Sequence, residues 1–290
     1  MQKVGTVQSI WRYPVKGMAG ESMQQCHLSA NGLLGDRTWA VQDLERQEIQ
    51  SCKFRPDLLK CRASQRLDNH GDLSGQVDVS FPGGIVLGSD DPSVHKQVSD
   101  TIGYASTLQS LRPFPENAAF FRRHKADATT WLKELKATFT REPGEPLPDL
   151  DNLPPDMQEF VSLPGTFFLV SPFHILTSAS LQHMQQINSN ADWDVERFRP
   201  NLVIETLPGM EGLIEQTWLG KQLRIGDTTI QCTGTAPRCG AVTRAQANLQ
   251  TDKSILRSIV QAAEQNLGIY GAIDGNSLLN VGEEVWLETL

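Results

Sequence analysis

No apolar run in this chain of 290 residues approaches the roughly 20 residues that a membrane-spanning helix needs. The longest candidate, Phe167-Phe168-Leu169-Val170, is broken at once by Ser171-Pro172. Met1-Gln2-Lys3-Val4-Gly5 leads straight into strand-like sequence and lacks the apolar core of a secretory signal. The expectation is a cytoplasmic protein with no membrane role. Surplus positive charge is missing too: Lys+Arg number 26 against 34 Asp+Glu, a formal net charge of −8. That excludes non-specific binding to nucleic acid, which needs a basic surface, and argues against anionic lipid. The five cysteines (Cys26, Cys52, Cys61, Cys232 and Cys239) are odd in number and form no CxxC pair, and the six histidines contain no HExxH. Neither a disulfide framework nor a zinc site is indicated, and a bound metal would take most of its ligands from a cofactor. A GxGxxG fingerprint is absent, so direct use of a nicotinamide is not expected.

What is present is an ordinary globular composition, 39% hydrophobic and 21% charged, at a length that suits one large domain or two modest ones. Strand signals dominate the first third. Val77, Val79 and Phe81 alternate with polar residues, and turn signals recur at Asn31-Gly32, Asn69-His70-Gly71 and Pro82-Gly83-Gly84. Between about 112 and 164 the composition changes. Trp131, Leu135 and Phe139 fall at helical spacing after Asp127, a candidate N-cap, and the proline-rich run Glu142 to Pro148 ends that helix. A second helix is predicted from Thr177 or Ser178, with Leu181, Met184 and Ile187 on one face. A third is predicted over 252–267, with Gly268 as its C′ residue. Residues 201–205, 222–225, 228–232 and 285–287 read as strands, with a hairpin turn at Gly226-Asp227. The fold class is mainly β with a few helices (α+β). The predicted division is 1–125, a linking helical and Pro-rich insertion at 126–164, and 165–290.

The most informative stretch is Thr235-Ala236-Pro237-Arg238-Cys239-Gly240. It puts a thiol on a turn, next to a guanidinium that favours the thiolate, the form that binds soft metals. A small buried residue is the competing reading. Lys16 lies on a Pro-Val-Lys-Gly loop, where it is either a surface lysine or a point charge for phosphate. Asp36-Arg37 reads as an ion pair fixing a turn, with Arg37 also suited to a planar anion. In Arg197-Phe198-Arg199-Pro200-Asn201, both arginines would point the same way if the segment were extended. Asn201 either orders that loop or bonds a ligand. Thr177-Ser178 would open a helix, whose free N–H groups and hydroxyls cap it or hold an anion. His174, just before, reads as a packed histidine.

Tyr13-Pro14-Val15-Lys16-Gly17, Gly35-Asp36-Arg37-Thr38-Trp39, Arg197-Phe198-Arg199-Pro200-Asn201 and Pro237-Arg238-Cys239, in that order, resemble the MOSC family. The similarity runs from about Val4 to Val285 and is greatest to the amidoxime-reducing (mARC-like) branch. The resemblance implies an N-terminal β-barrel-like domain packed on a β-barrel MOSC domain, with a molybdenum cofactor (Mo-pyranopterin) held between them. It implies that Cys239 is the catalytic residue and binds molybdenum. It also implies that Lys16, Gly17, Arg37, Thr177, Ser178, Arg199, Asn201 and Arg238 contact the cofactor. Two departures are visible: Gly17 stands where many relatives have serine or threonine, and Gly240 to Asn248 replaces a segment that ends Asp-Pro-x-Thr-Gly, with Arg244 at the acidic position.

The implied function is an oxidoreductase that reduces N-hydroxylated or N-oxide small molecules. No downstream cysteine cluster follows Cys239, so electrons are expected from a separate protein: a ferredoxin, a flavoprotein or a small haem protein. The alternative is a non-catalytic carrier of molybdenum cofactor or of persulfide sulfur. A zinc or redox-thiol protein is disfavoured by the missing spacings. Nothing resembles a pyridoxal-phosphate domain, so that cofactor is not expected.

Overall fold

The computed structural model describes residues 1–124 and 129–288. Asp127, the candidate cap, lies outside the described residues. The first part of the chain contains β1 (Gln2–Arg12), β2 (Glu21–Met23), β3 (Gln25–Ser29), β4 (Gly32–Leu33), β5 (Trp39–Asp43), β6 (Arg62–Leu67), β7 (Leu73–Ser80), β8 (Val86–Gly88), α1 (Ser93–Ile102) and β9 (Ser106–Ser110). Three short helices follow: α2 (Ala118–Phe121), α3 (Trp131–Ala137) and α4 (Pro155–Glu159). The last part contains β10 (His174–Thr177), α5 (Ser178–Ile187), β11 (Leu202–Thr206), β12 (Gln222–Ile225), β13 (Thr228–Pro237), α6 (Ser254–Ala262), β14 (Asn266–Asp274), β15 (Ser277–Asn280) and β16 (Glu284–Glu288). The protein is mainly β, as the sequence predicts. Among the described residues no helix is long and apolar enough to cross a membrane.

Its centre is a closed barrel of seven strands in the order β11-β10-β14-β13-β12-β16-β1, sealed by β1 pairing with β11, with β2 added beside β1. Both ends of the chain build it. β1 pairs Thr6 with Glu284 on one side and Ile10 with Leu202 on the other. Val4, Val7 and Ile10 of β1 point inward with Ile230, Ile269 and Val285, and all are fully or nearly fully buried; their spacing departs from strict alternation because register shifts between Lys3 and Gly5 and between Val7 and Ser9 interrupt β1. A register shift between Val7 and Ser9 bends β1, and the chain then leaves the barrel at Tyr13.

A second core lies under the small open sheets β6-β7-β8 and β5-β9, where α1 sets Val94, Val98 and Ile102 against Val41, Val77, Val79 and Leu108. Isolated bridges from Val15 to Trp39 and from Ala19 to Arg62 tie the loop after β1 to these sheets. A third core joins α5 and α6 through Met184, Ile255 and Ile259.

Two sequence expectations are corrected. The third helix stops at Ala262, and residues from Asn266 enter β14, the barrel strand between β10 and β13. Gly268 is therefore a strand residue, with φ +83°, and not a helix C′. A Cβ there would lie 2.6 Å from the Ile175 carbonyl oxygen, so close strand packing requires the glycine. The 195–201 segment is not extended either: Val195–Arg197 is a 3-10 turn and Arg199 has φ +55°. The two arginines consequently do not share a face by strand alternation.

Candidate functional site

The loop that leaves β1 is held in extended form by Lys16 N donating to the Trp39 carbonyl at 2.8 Å. This carries the Lys16 side chain inward until it is only 6% exposed, with Nζ lacking any hydrogen-bond partner. Burial, followed by the nearby Arg37 cation, pushes its ammonium down to about 7. A buried charge without a partner is costly, so this atom marks a place for an anion. Gly17 has φ +89°, and a Cβ there would sit 2.9 Å from Cys52 N. The close approach of the Cys52 segment leaves no room for a side chain at this position.

Asp36 organises the next turn. One carboxylate oxygen accepts from Tyr13 N at 2.6 Å. The other accepts from Arg37 Nη1 at 2.5 Å and from Asn201 Nδ2 at 3.1 Å. Arg37, at φ +49°, is thereby placed with its guanidinium 5.4 Å from the Tyr13 ring centroid and 5.1 Å from that of Phe168. Arg199 stacks on Tyr13 at 4.3 Å and donates to the Met18 carbonyl. Both arginines hold non-glycine residues in the left-handed region, a strain that tends to gather at functional sites. Arg197 is occupied elsewhere: it donates to the Asp192 and Gln250 carbonyls, each at 2.9 Å.

Asn201 is 1% exposed and serves as a staple. It accepts from His174 N at 3.2 Å and donates to Trp11 O and to Asp36. His174 is buried and held neutral, chiefly by that burial and then by the Arg238 charge. An arginine can only donate, so His174 Nε2 accepts from Arg238 Nη2 at 2.5 Å, and its Nδ1 proton points to the Arg199 carbonyl. Arg238 also donates from Nε to Leu267 O at 2.8 Å and from Nη1 to Phe198 O at 3.1 Å. Its guanidinium is thus mostly committed to bracing the turn that carries Cys239.

Cys239 is 9% exposed and packs with Phe139 and Leu150 of the insertion. Gly240 N donates to Thr138 O at 2.9 Å, and Arg141 Nη2 donates to Arg238 O at 2.8 Å. The insertion thereby covers the cysteine turn. Arg244 is exposed and is not among the residues that line the cleft.

Lys16, Gly17, Arg37, Arg199, Asn201, Arg238 and Cys239 line one cleft of about 940 Å³. Thr177 and Ser178 are not part of its lining. Thr177 caps α5 by accepting from Ser180 N and donates to the buried Glu215 at 2.7 Å, while Ser178 pairs with Thr206 at 3.2 Å. In the structure these two hydroxyls cap and brace the start of α5. Sequence reasoning missed Cys52, Lys53 and Phe139, which also face the cleft. Only contacts across the fold bring them there, and no local pattern announces them. A thiol, several fixed cations and an unpartnered buried ammonium in a shared cleft suit an anionic group that carries a soft metal. Among the described residues no cluster of three or more His, Cys, Asp or Glu could hold a metal by itself.

Two family models match the chain: the MOSC N-terminal beta barrel domain over residues 4–122 and the MOSC domain over residues 164–286. Human mitochondrial amidoxime reducing component 2 is 27% identical over 308 residues, spanning 99% of this chain and 84% of that protein. Molybdenum cofactor sulfurase of Oryza sativa subsp. japonica is 28% identical over 271 residues, spanning 86% of this chain but only 29% of its own length. Among solved structures, the YUAD protein from Bacillus subtilis aligns over 99% of this chain and 97% of its own at 9% identity, with a TM-score of 0.46.

Proposed function

The chain belongs to the MOSC family, joining a MOSC N-terminal beta barrel domain to a MOSC domain, and from that premise we propose that it is a molybdenum-cofactor oxidoreductase that reduces N-hydroxylated small molecules. The observation that carries this reading is the cleft, which sets the Cys239 thiol among Lys16, Arg37 and Arg199 in a protein of net charge −8. Relatives of similar length are named for amidoxime reduction.

In this reading Lys16 meets the phosphate of the pyranopterin as a point charge, while Arg37 and Arg199 present planar donors to it. Cys239 is the protein's ligand to molybdenum. Arg238 acts through the turn, fixing Cys239 by its bonds to Leu267, Phe198 and His174. Asn201 and Asp36 hold the two halves of the cradle in register. The bound cofactor supplies a two-electron metal centre and dithiolene sulfur. Electrons come from a separate donor protein of the ferredoxin, flavoprotein or small haem class, and the substrate is a small molecule.

The test combines metal and pterin analysis of the purified protein with turnover assays. Reduction of an amidoxime or hydroxylamine is expected with a reduced viologen and not with NADH or NADPH alone. Robust NADH-driven turnover by the pure chain refutes the separate donor. Cofactor without turnover of any N-oxygenated compound moves the assignment to a cofactor carrier.

Lys16 gives a pH signature. Its folded pKa of about 7 lies below the unfolded value of about 10.4. Between those values the unfolded chain binds one more proton, so cofactor-free protein gains stability as pH rises from about 7 to about 10. A bound phosphate restores the ammonium, so cofactor binding takes up a proton and weakens above pH 7. Pterin retention measured across pH 6 to 9 is expected to fall on the alkaline side, and Lys16→Met is expected to flatten that slope while lowering retention throughout. A pH-independent retention in the parent chain refutes the assignment of Lys16.

A further inference from the structure

We propose that Phe139 is a specificity-determining wall of this cleft, which accepts neutral, flat, apolar substituents beside Cys239 and turns away cationic ones. The proposal rests on the reductase reading for its substrate chemistry, but its geometry stands apart from it. Phe139 follows α3, is 4% exposed, and shares a packed cluster with Leu150 and Cys239, so an apolar surface lies directly beside the thiol. The ring is held in place from behind. Arg141 lies 5.5 Å from its centroid and is anchored to the Phe139, Pro146 and Arg238 carbonyls.

The charge pattern adds the second half of the selection. Lys53 Nζ stands 4.8 Å from the Phe139 ring centroid and has no carboxylate partner among the described residues. A cationic substituent laid against this ring therefore meets the Lys53 ammonium, with the anchored Arg141 guanidinium also close to the ring. Two acids, Glu48 and Asp149, also line the cleft, but Lys16, Arg37, Lys53, Arg123, Arg199 and Arg238 outnumber them. One methylene more or less in an apolar pocket is worth roughly 10- to 200-fold, which sets the scale of the expected change.

The experiment uses two readouts on the parent chain and on Phe139→Ala, Phe139→Leu and Lys53→Gln. In cofactor-free protein, mass spectrometry follows modification of Cys239 by N-phenylmaleimide and by a trimethylammonium methanethiosulfonate. The ratio of the two rates is expected to fall about tenfold in Phe139→Ala and by less in Phe139→Leu, while Lys53→Gln raises the cationic rate. In cofactor-loaded protein, kcat/KM for benzamidoxime relative to its ring-trimethylammonium derivative is expected to fall in parallel. Unchanged ratios in both Phe139 variants overturn the proposal. If the thiol ratios shift but the loaded protein reduces neither amidoxime, the wall stands and the reductase reading fails. If every variant reduces both compounds in the parent ratio, the wall falls and the reductase reading stands.

Discussion

Cys239→Ser is expected to yield a folded protein that has lost at least about a hundredfold in turnover, beyond the 10- to 100-fold that partners outside the ligand shell usually contribute. The thiol sits on a turn after β13, and not inside a strand or helix. Its backbone is fixed independently by Arg238 N donating to Gln265 O at 2.8 Å and Gly240 N donating to Thr138 O. Serine keeps the size and the backbone but removes the soft donor. X-ray absorption at molybdenum should then count one sulfur fewer, while pterin is partly retained through the cations. Cys26, Cys61 and Cys232 provide the contrast. Each is buried in a core cluster, where burial raises the thiols to about 11, 12 and 12. Their serine variants should lose stability and not the metal's sulfur signature. Cys52→Ser is likewise expected to keep that signature. A full sulfur count and full turnover in Cys239→Ser would falsify the ligand assignment.

How far the sequence could be read depends on the range of the forces involved. Alternation in Val77, Val79 and Phe81 and the strand runs at 222–225 and 228–232 are local signals, and those strands form. β14 escaped because Leu267, four residues after Ala263, continues the apolar stripe of α6, and a short apolar run does not by itself distinguish strand from helix. What ends the helix is the positive φ of Glu264 and Gln265 (+46° and +67°), adopted by residues with no propensity for it. The site shows the same division. Lys16, Arg37, Arg199 and Cys239 occur in short motifs and converge on one cleft. The roles of Arg238 and Asn201 became visible only through partners distant in sequence: Leu267, His174, Trp11 and Asp36. Thr177 looked the same for capping and for anion binding, and its partner Glu215, an acid 0% exposed under the helix start, is distant in sequence. Helical spacing singled out Phe139 but put it on the helix; it lies beyond the end of α3 and is placed by the 138–141 contacts to the cysteine turn.

Asp36→Ala is expected to be the most destabilising single change in the cradle, at about 3–5 kcal/mol, the usual cost of removing one partner of a buried ion pair. Asp36 is 4% exposed and ties together three groups: Tyr13 N just after β1, Arg37 from its own turn, and Asn201 just before β11, the strand that pairs with β1. Burial raises its pKa, and the Arg37 charge is the first opposing influence. Alanine leaves a buried backbone N–H and an amide unsatisfied, together with a guanidinium freed beside Lys16. Asparagine is no rescue, since its amide would turn a second donor towards donors already present. Denaturant midpoints and pterin content should therefore fall together in Asp36→Ala. Arg37→Met, which removes the cation but leaves Tyr13 and Asn201 served, should lose pterin with a much smaller loss of stability. The double variant should recover part of the stability lost in Asp36→Ala, because the unpaired guanidinium is gone, and a thermodynamic cycle over the four proteins measures that coupling. Additive effects in the cycle, or an unshifted midpoint in Asp36→Ala, would show that the cradle is held together by something other than this carboxylate.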